Sequence, residues 1–260
     1  MTEHDENMST DIAWEEWGTR DPYFGVITDP KFRRSEINDK IRQEFFETGE
    51  SHVHGILSTI RKHIEPGFAP RSILDFGCGV GRLLAPFARI ADEVIGLDVS
   101  PSMLLEARRN CDEFGLRNVK LLASDDSLSA LTGSFDFIHS CIVFQHIPVG
   151  RGRAIFAKLL QHLRPGGIGA IQVTYSKTHF ASTHGVAPSL PNTMPAPGAS
   201  AELIASGRDP EIQMNPYNMN EILFLMQCRG VQQFHVEFSD HGGELGVYLF
   251  FSTTGPLIVT

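Results

Sequence analysis

Basic runs are missing from this sequence. Its 22 lysines and arginines are scattered among 31 acids, giving a formal charge of −9 and an isoelectric point of about 5.6. A sequence-independent grip on a phosphate backbone needs clustered cations, so nucleic acid is not an expected partner. Cysteine is scarce as well. Cys78, Cys111, Cys141 and Cys228 lie far apart with no C-x-x-C spacing, which excludes a zinc framework or a disulfide scaffold and suits a reducing compartment. No run of 18 apolar residues occurs, and the N-terminus is polar and acidic, so a membrane span and a leader are not expected. A soluble, cytoplasmic chain is the expectation. There is no internal repeat and no clear cluster of Asp, Glu and His ligands, so no metal is expected. What remains is an ordinary 42% hydrophobic content over 260 residues, enough for one large α/β domain with appendages.

The most informative stretch is Arg71–Leu83, RSILDFGCGVGRL. Ser72-Ile73-Leu74 with Phe76 predicts a short buried strand. Gly77, Gly79 and Gly81 predict a tight turn whose backbone a ligand can approach, because no Cβ stands in the way and positive φ is allowed. A helix is predicted over 81–90. Strand, glycine turn and helix in this order build the crevice at the carboxyl edge of a parallel sheet. The spacing is G-x-G-x-G, neither the dinucleotide fingerprint nor a phosphate loop with its Gly-Lys-Ser/Thr.

The next strand, ending Gly96-Leu97-Asp98, lifts this signal. An acid at the end of the second strand is placed to accept hydrogen bonds from both hydroxyls of a ribose. Ser100 and Pro101 already supply the cap and first turn of the following helix, 101–113, which frees Asp98. Val119–Ala123 predicts a third strand, followed by Ser124-Asp125-Asp126. A carboxylate there can accept from an exocyclic amine such as that of adenine, or can cap its own turn. Phe135–Cys141 predicts a fourth strand, 142–148 a loop, 149–164 an amphipathic helix, and Ile168–Thr174 a fifth strand. A helix from Asn218 and two aromatic-rich strands, Val231–Ser239 and Gly246–Ser252, form the end.

Taken in order, ILDFGCGVGRL, VIGLDVSPSML, LLASDD, FDFIHSCIVFQHIP and LRPGG resemble the successive motifs of the class I S-adenosylmethionine-dependent methyltransferases, across residues 71–174. The resemblance implies a doubly wound, Rossmann-like α/β fold. Its seven-stranded sheet would be mostly parallel, with a C-terminal antiparallel hairpin and helices on both faces. It also implies S-adenosylmethionine as cofactor. Asp75, Gly77, Cys78, Gly79 and Gly81 would wrap the methionine part, and Asp98 with Val99 the ribose. Asp125 and the backbone of Asp126 would meet the adenine, and the backbone near Ser140 and Cys141 the amino group. The expected function is methyl transfer to a small-molecule acceptor, with a hydroxyl oxygen preferred. N- or C-methyl transfer and a non-catalytic scaffold of the same fold are the alternatives. A nicotinamide oxidoreductase is disfavoured by the glycine spacing and the terminal hairpin.

A hydroxyl acceptor calls for a base. His146, on the loop after the fourth strand, is the candidate, with Gln145 to orient substrate. His241, His179 and His184 are rivals, and His139 is expected to be buried within its strand. The ends of the chain are less diagnostic, so the substrate side does not carry over from the resemblance. Residues 1–68 read as an arm and helical cap, frayed over 1–12, with two helices at 35–48 and 51–64. The aromatics Trp14, Trp17, Tyr23 and Phe24 either staple this arm down or face a ligand; Tyr23 and His241 are the candidate substrate contacts. The methyltransferase domain is expected over 69–260, with a proline-rich, lid-like insertion at 176–216. Oligomeric state stays open.

Overall fold

The computed structural model describes residues 3–177, 193–194, 209–210, 212–231, 234–241 and 243–254. Its centre is a seven-stranded sheet. β1 (Ser72–Phe76), β2 (Glu93–Asp98), β3 (Val119–Ala123), β4 (Phe135–Ser140) and β5 (Leu163–Lys177) run parallel. A two-stranded ladder joins β6 (Thr193–Met194) to β7 (Ile212–Gln213). β8 (Phe234–Asp240) and β9 (Glu244–Ser252) close the sheet antiparallel. The order is β3-β2-β1-β4-β5-β9-β8. The chain therefore winds outward from β1 in one direction and from β4 in the other. That reversal opens a crevice beyond the carboxyl ends of β1 and β4, where open α/β sheets bind ligands. The seven-stranded, mostly parallel sheet and its antiparallel end are those expected from the sequence.

The helices are α1 (Glu3–Arg20), α2 (Pro22–Val26), α3 (Asp39–His63), α4 (Leu84–Ala88), α5 (Pro101–Glu113), α6 (Val149–Gln161) and α7 (Met219–Gln227). Both sheet faces are covered. One core joins Phe156 and Leu159 of α6 and Ile222 of α7 to Leu74, Ile138 and Leu249. The other joins Val53, Leu57 and Ile60 of α3 to Ile73, Phe137 and Phe250. Full burial of such side chains contributes about 1.5–3 kcal/mol each. A third cluster joins Trp17, Phe24, Phe32 and Phe45 from the N-terminal segment to Met103, Ile212 and Met214. No helix among the described residues is long and apolar enough to cross a membrane.

Several local expectations are corrected. The two N-terminal helices are one, α3, capped by Asn38 through Ile41 N. Gly49 is no break but a contact point: a Cβ there would lie 2.4 Å from the backbone oxygen of Arg82. The helix after the glycine turn is shorter than 81–90, since Gly81 itself has φ +83°. Residues 3–12 belong to α1 rather than to a frayed tail, and Thr10 Oγ1 donates to the carbonyl of His146 at 2.7 Å. The fifth strand starts at Leu163, and the Leu163-Arg164-Pro165-Gly166-Gly167 stop signal is absorbed as a register shift against β4. Of the insertion at 176–216, His179, His184 and most of its prolines lie outside the described residues. Its described end returns to the body: Asp209 pairs with Arg33 at 2.6 Å, and Ile212 and Met214 are buried.

Gly49→Ala tests the contact between α3 and the glycine turn. Helix propensity alone would favour alanine by about 0.8–1 kcal/mol. Overpacking against a backbone carbonyl costs about 1–3 kcal/mol. The variant is expected to lose stability in denaturant unfolding; a gain would mean that the helix and the turn separate freely.

Candidate active site

A cavity of about 1070 Å³, its open mouth included, sits at the switch point of the sheet. One wall is the glycine turn. The amides of Gly77 and Cys78 both donate to Leu97 O, at 2.7 and 3.1 Å, which folds the turn back over β2. Gly77 and Gly79 line the cavity with φ of +76° and +53°, a region that L side chains rarely adopt. Cys78 lines it too. Gly81 does not. A Cβ there would stand 3.4 Å from that of Ala107, so Gly81 lets α5 approach the turn.

Asp98 and Val99 form the next part of the wall. Asp98 is not as free as its sequence context implies. Oδ2 accepts from Gly79 N at 2.8 Å and Oδ1 from Ser100 N at 2.9 Å. Each oxygen keeps a lone pair. Burial raises its pKa to about 6. Asp125 also lines the cavity, but it caps its own turn, accepting from Ser127 N, Ser129 N and both hydroxyls. The Ser129 hydroxyl and the other donors hold it well below the usual carboxylate range. The Asp126 carboxylate lies off the cavity and accepts from Arg151 Nε at 2.5 Å.

The floor comes from β1 and β4. Asp75 and Cys141 line it. Ser140 does not, since its hydroxyl donates to Phe76 O. Ile142, just beyond, has φ +57°, a strained state for a β-branched residue. Its amide donates to Gln172 Oε1 at 3.0 Å, and its side chain lines the cavity.

His146 is brought to the same space and is buried. Its Nδ1 sits 2.9 Å from Gln213 O, so Nδ1 carries the proton and Nε2 the lone pair. Burial lowers its pKa to about 4. The Trp14 ring covers it at 4.9 Å between centroids. Gln145 is buried beside it but does not line the cavity; its Oε1 accepts from Thr174, and its Nε2 reaches His146 Nε2 at 3.4 Å. Two other candidates are not brought in. Tyr23 is buried against Glu106, Asn110 and Arg42, stapling the arm to α5. His241 is exposed on the β8–β9 turn. Trp17 packs inside, while Trp14 faces the cavity.

Sequence reasoning did not single out Arg82, Arg151, Thr10 or Asp11, which also line the cavity. Arg82 Nε is buried without a hydrogen-bond partner, and Nη1 reaches only Thr48 at 3.3 Å. Burial lowers its pKa, against the opposing pull of groups that include the Asp75 carboxylate. Arg151 clamps Asp11 of α1 at 2.7 and 2.8 Å. Only the position of Arg82 directly after the glycines could have flagged it. The others are set by long-range packing. Among the described residues no group of three or more His, Cys, Asp or Glu side chains could hold a metal ion.

A family described as "Methyltransferase domain" matches residues 73–167. The chain is 31% identical over 156 residues to a trans-aconitate 2-methyltransferase of Deinococcus radiodurans, covering 51% of this chain and 55% of that protein. It is 32% identical over 106 residues to a ubiquinone biosynthesis O-methyltransferase of Methylocella silvestris, covering 39% and 41%. The chain thus spans about half the length of these relatives or less. Among solved structures, magnesium protoporphyrin IX methyltransferase from Synechocystis with bound SAH superposes with a TM-score of 0.58 at 18% identity, over 90% of this chain and 98% of that one. Haemonchus contortus phosphoethanolamine N-methyltransferase 1 superposes at 0.62 and 14% identity, over 100% of this chain and 51% of that one. These last two likenesses concern the fold.

The raised pKa of Asp98 has a stability consequence. An acid that ionises at about 6 in the fold and at about 3.9 when unfolded binds more protons in the native state between those values. Stability from this group is therefore present below about pH 4 and lost as pH rises through 6. Urea unfolding of the ligand-free protein between pH 4.5 and 7 should show the wild type losing stability relative to Asp98→Asn as pH rises. Parallel curves would mean that the carboxylate is solvated.

Proposed function

The chain belongs to the class I S-adenosylmethionine-dependent methyltransferases, and from that membership we propose that it methylates a small molecule, with an oxygen as the acceptor atom. One observation carries the oxygen reading: a neutral histidine with its proton committed elsewhere, His146, lines the same cavity as the glycine turn and Asp98.

The residues fit the cofactor. Gly77–Gly79 present backbone without Cβ, and Asp98 keeps lone pairs for ribose hydroxyls beside Val99. Asp125 is saturated by its own turn, so the backbone of Ser124–Asp126 is the better contact for an adenine. Asp75 and the carbonyl region of Cys141 would take the ammonium. Arg82 would take the carboxylate, a partner that its unpaired Nε lacks. The cofactor supplies an already activated methyl group on a sulfonium. The protein is left to align the acceptor and to manage one proton. Trp14 and Ile142 offer apolar walls that exclude water. His146 Nε2 would accept the proton of the attacking hydroxyl, a role worth about 10²–10⁴-fold in typical cases. A pKa of about 4 leaves this nitrogen unprotonated throughout the neutral range. An amine acceptor would need such a base less. The name of one relative includes O-methyl transfer, which agrees with this reading.

Calorimetric titration with S-adenosylmethionine, S-adenosylhomocysteine and NAD⁺ tests the cofactor. Binding of the two adenosyl ligands alone is expected, and Asp98→Ala should weaken both sharply; NAD⁺ binding with neither of them would overturn the reading. Once an acceptor is in hand, His146→Ala should lower kcat by about 10²-fold or more with little change in KM for S-adenosylmethionine. Undiminished turnover would leave His146 a packing residue under Trp14.

A further inference from the structure

Parallel pairing sets Asp75 of β1 directly beside His139 of β4. His139 is fully buried, and its Nδ1 lies 2.8 Å from Asp75 Oδ1. A carboxylate only accepts, so Nδ1 is the donor and Nε2 holds a lone pair. On that side the Tyr248 hydroxyl approaches to 2.7 Å and His52 Nε2 to 3.1 Å. The hydroxyl is the nearer donor, and its own oxygen lies 3.4 Å from His52 Nε2. A chain of contacts thus runs from α3 through β9 and β4 to the cavity floor.

The partners beyond His139 carry no charge. Burial, and then the neighbouring His139, push the pKa of His52 down to about 2. Burial drives the Tyr248 phenol well above its ordinary range and the Cys141 thiol up to about 11. Asp75 is therefore tied on one oxygen to a ring whose orientation two neutral groups, Tyr248 and His52, support. Its Oδ2 makes no hydrogen bond to any described residue, and the residue lines the cavity.

We propose that His139 is a positioning residue that locks the Asp75 carboxylate so that Oδ2 receives the ammonium of the cofactor's methionine end, with Tyr248 and His52 holding the ring in that tautomer. This rests on the S-adenosylmethionine reading of the cavity. It assigns this chain a second layer of ligand recognition beneath the glycine turn. Such support acts by fixing the first contact rather than by touching the ligand.

Two substitutions divide the ring's contacts. In His139→Asn the side-chain amide sits where Nδ1 was and keeps the bond to Asp75. In His139→Gln the longer side chain reaches Tyr248 and abandons Asp75. The probes are S-adenosylhomocysteine, which carries the ammonium, and 5′-methylthioadenosine, which lacks the amino-acid part. With the full chain, H139Q is expected to bind S-adenosylhomocysteine about tenfold or more weakly, with 5′-methylthioadenosine changed less than about twofold. H139N is expected to stay within about threefold of wild type for both. H139Q binding S-adenosylhomocysteine like wild type, or losing both ligands alike, would overturn the role. Should H139Q fail to melt cooperatively, His139→Ala compared with H139N decides: S-adenosylhomocysteine weakened about tenfold in H139A but not in H139N supports the lock, and equal affinities in the two overturn it. Wild-type protein that binds neither probe overturns the cofactor reading, and this role with it. Binding by the wild type with indifferent variants removes this role alone.

Discussion

The carbonyl of Leu97 is the point on which the site depends. Two amides of the glycine turn, Gly77 and Cys78, donate to it, and the next residue, Asp98, accepts from Gly79 of the same turn. β2 therefore holds the turn twice, once through the carbonyl of Leu97 and once through the carboxylate of its last residue, Asp98. Three positive-φ glycines make that geometry reachable without strain. The cost falls on Asp98, whose burial raises its pKa to about 6. A half-buried acid held by backbone donors, with a lone pair left on each oxygen, can accept further hydrogen bonds. The same contact that shapes the turn thus sets the Asp98 carboxylate on the cavity wall.

The part legible in the sequence was the part governed by neighbours in the chain. Strand, glycine turn, Asp98, and the Ser100 cap with Pro101 are local, and each took its expected place. Gly49 misled because a glycine in a helix reads as a break unless the carbonyl facing it, that of Arg82, is known. Asp125 carried two readings in the sequence, and Ser127 and Ser129 give its carboxylate to the turn. Tyr23 and Trp14 looked alike as aromatics of one arm. Only packing separates them: Tyr23 turns to Arg42 and Asn110, and Trp14 to His146. Arg151 clamping Asp11 spans a sequence separation that no periodicity reveals.

The appendages are less separate from the domain than their sequence positions imply. The arm and the described end of the insertion share one aromatic cluster, where Ile212 and Met214 pack with Trp17 and Phe45. Gln213 O also fixes the tautomer of His146. The proposed base is therefore set by a residue of the insertion. Its backbone oxygen is held by Thr10 of the arm. The orientation of His146 thus depends on both appendages being in place. Insertion and arm both hold the residue proposed as the base, one at its ring and the other at its backbone.

The contacts of α1 also run along its whole length. Trp17 is almost wholly buried, and Glu15 accepts from Ser100 Oγ, Ser102 N and Ser102 Oγ at the start of α5. Releasing that end would expose a large aromatic surface and strip the cap of a helix, a loss of several kcal/mol by ordinary magnitudes (about 2–3 for the ring and about 1 for the cap). Nearer the N-terminus the ties are Thr10 to one carbonyl and Asp11 to Arg151. Asp11 is partly exposed, but Arg151 is 9% exposed and grips it with two nitrogens, so the pair is stronger than an ordinary surface bridge. Thr10 is itself buried, and its bond ends on the backbone of His146. The cover and the floor of the cavity are therefore joined to the body by the same kind of buried contact, Thr10 to His146 O above and His139 to Asp75 below.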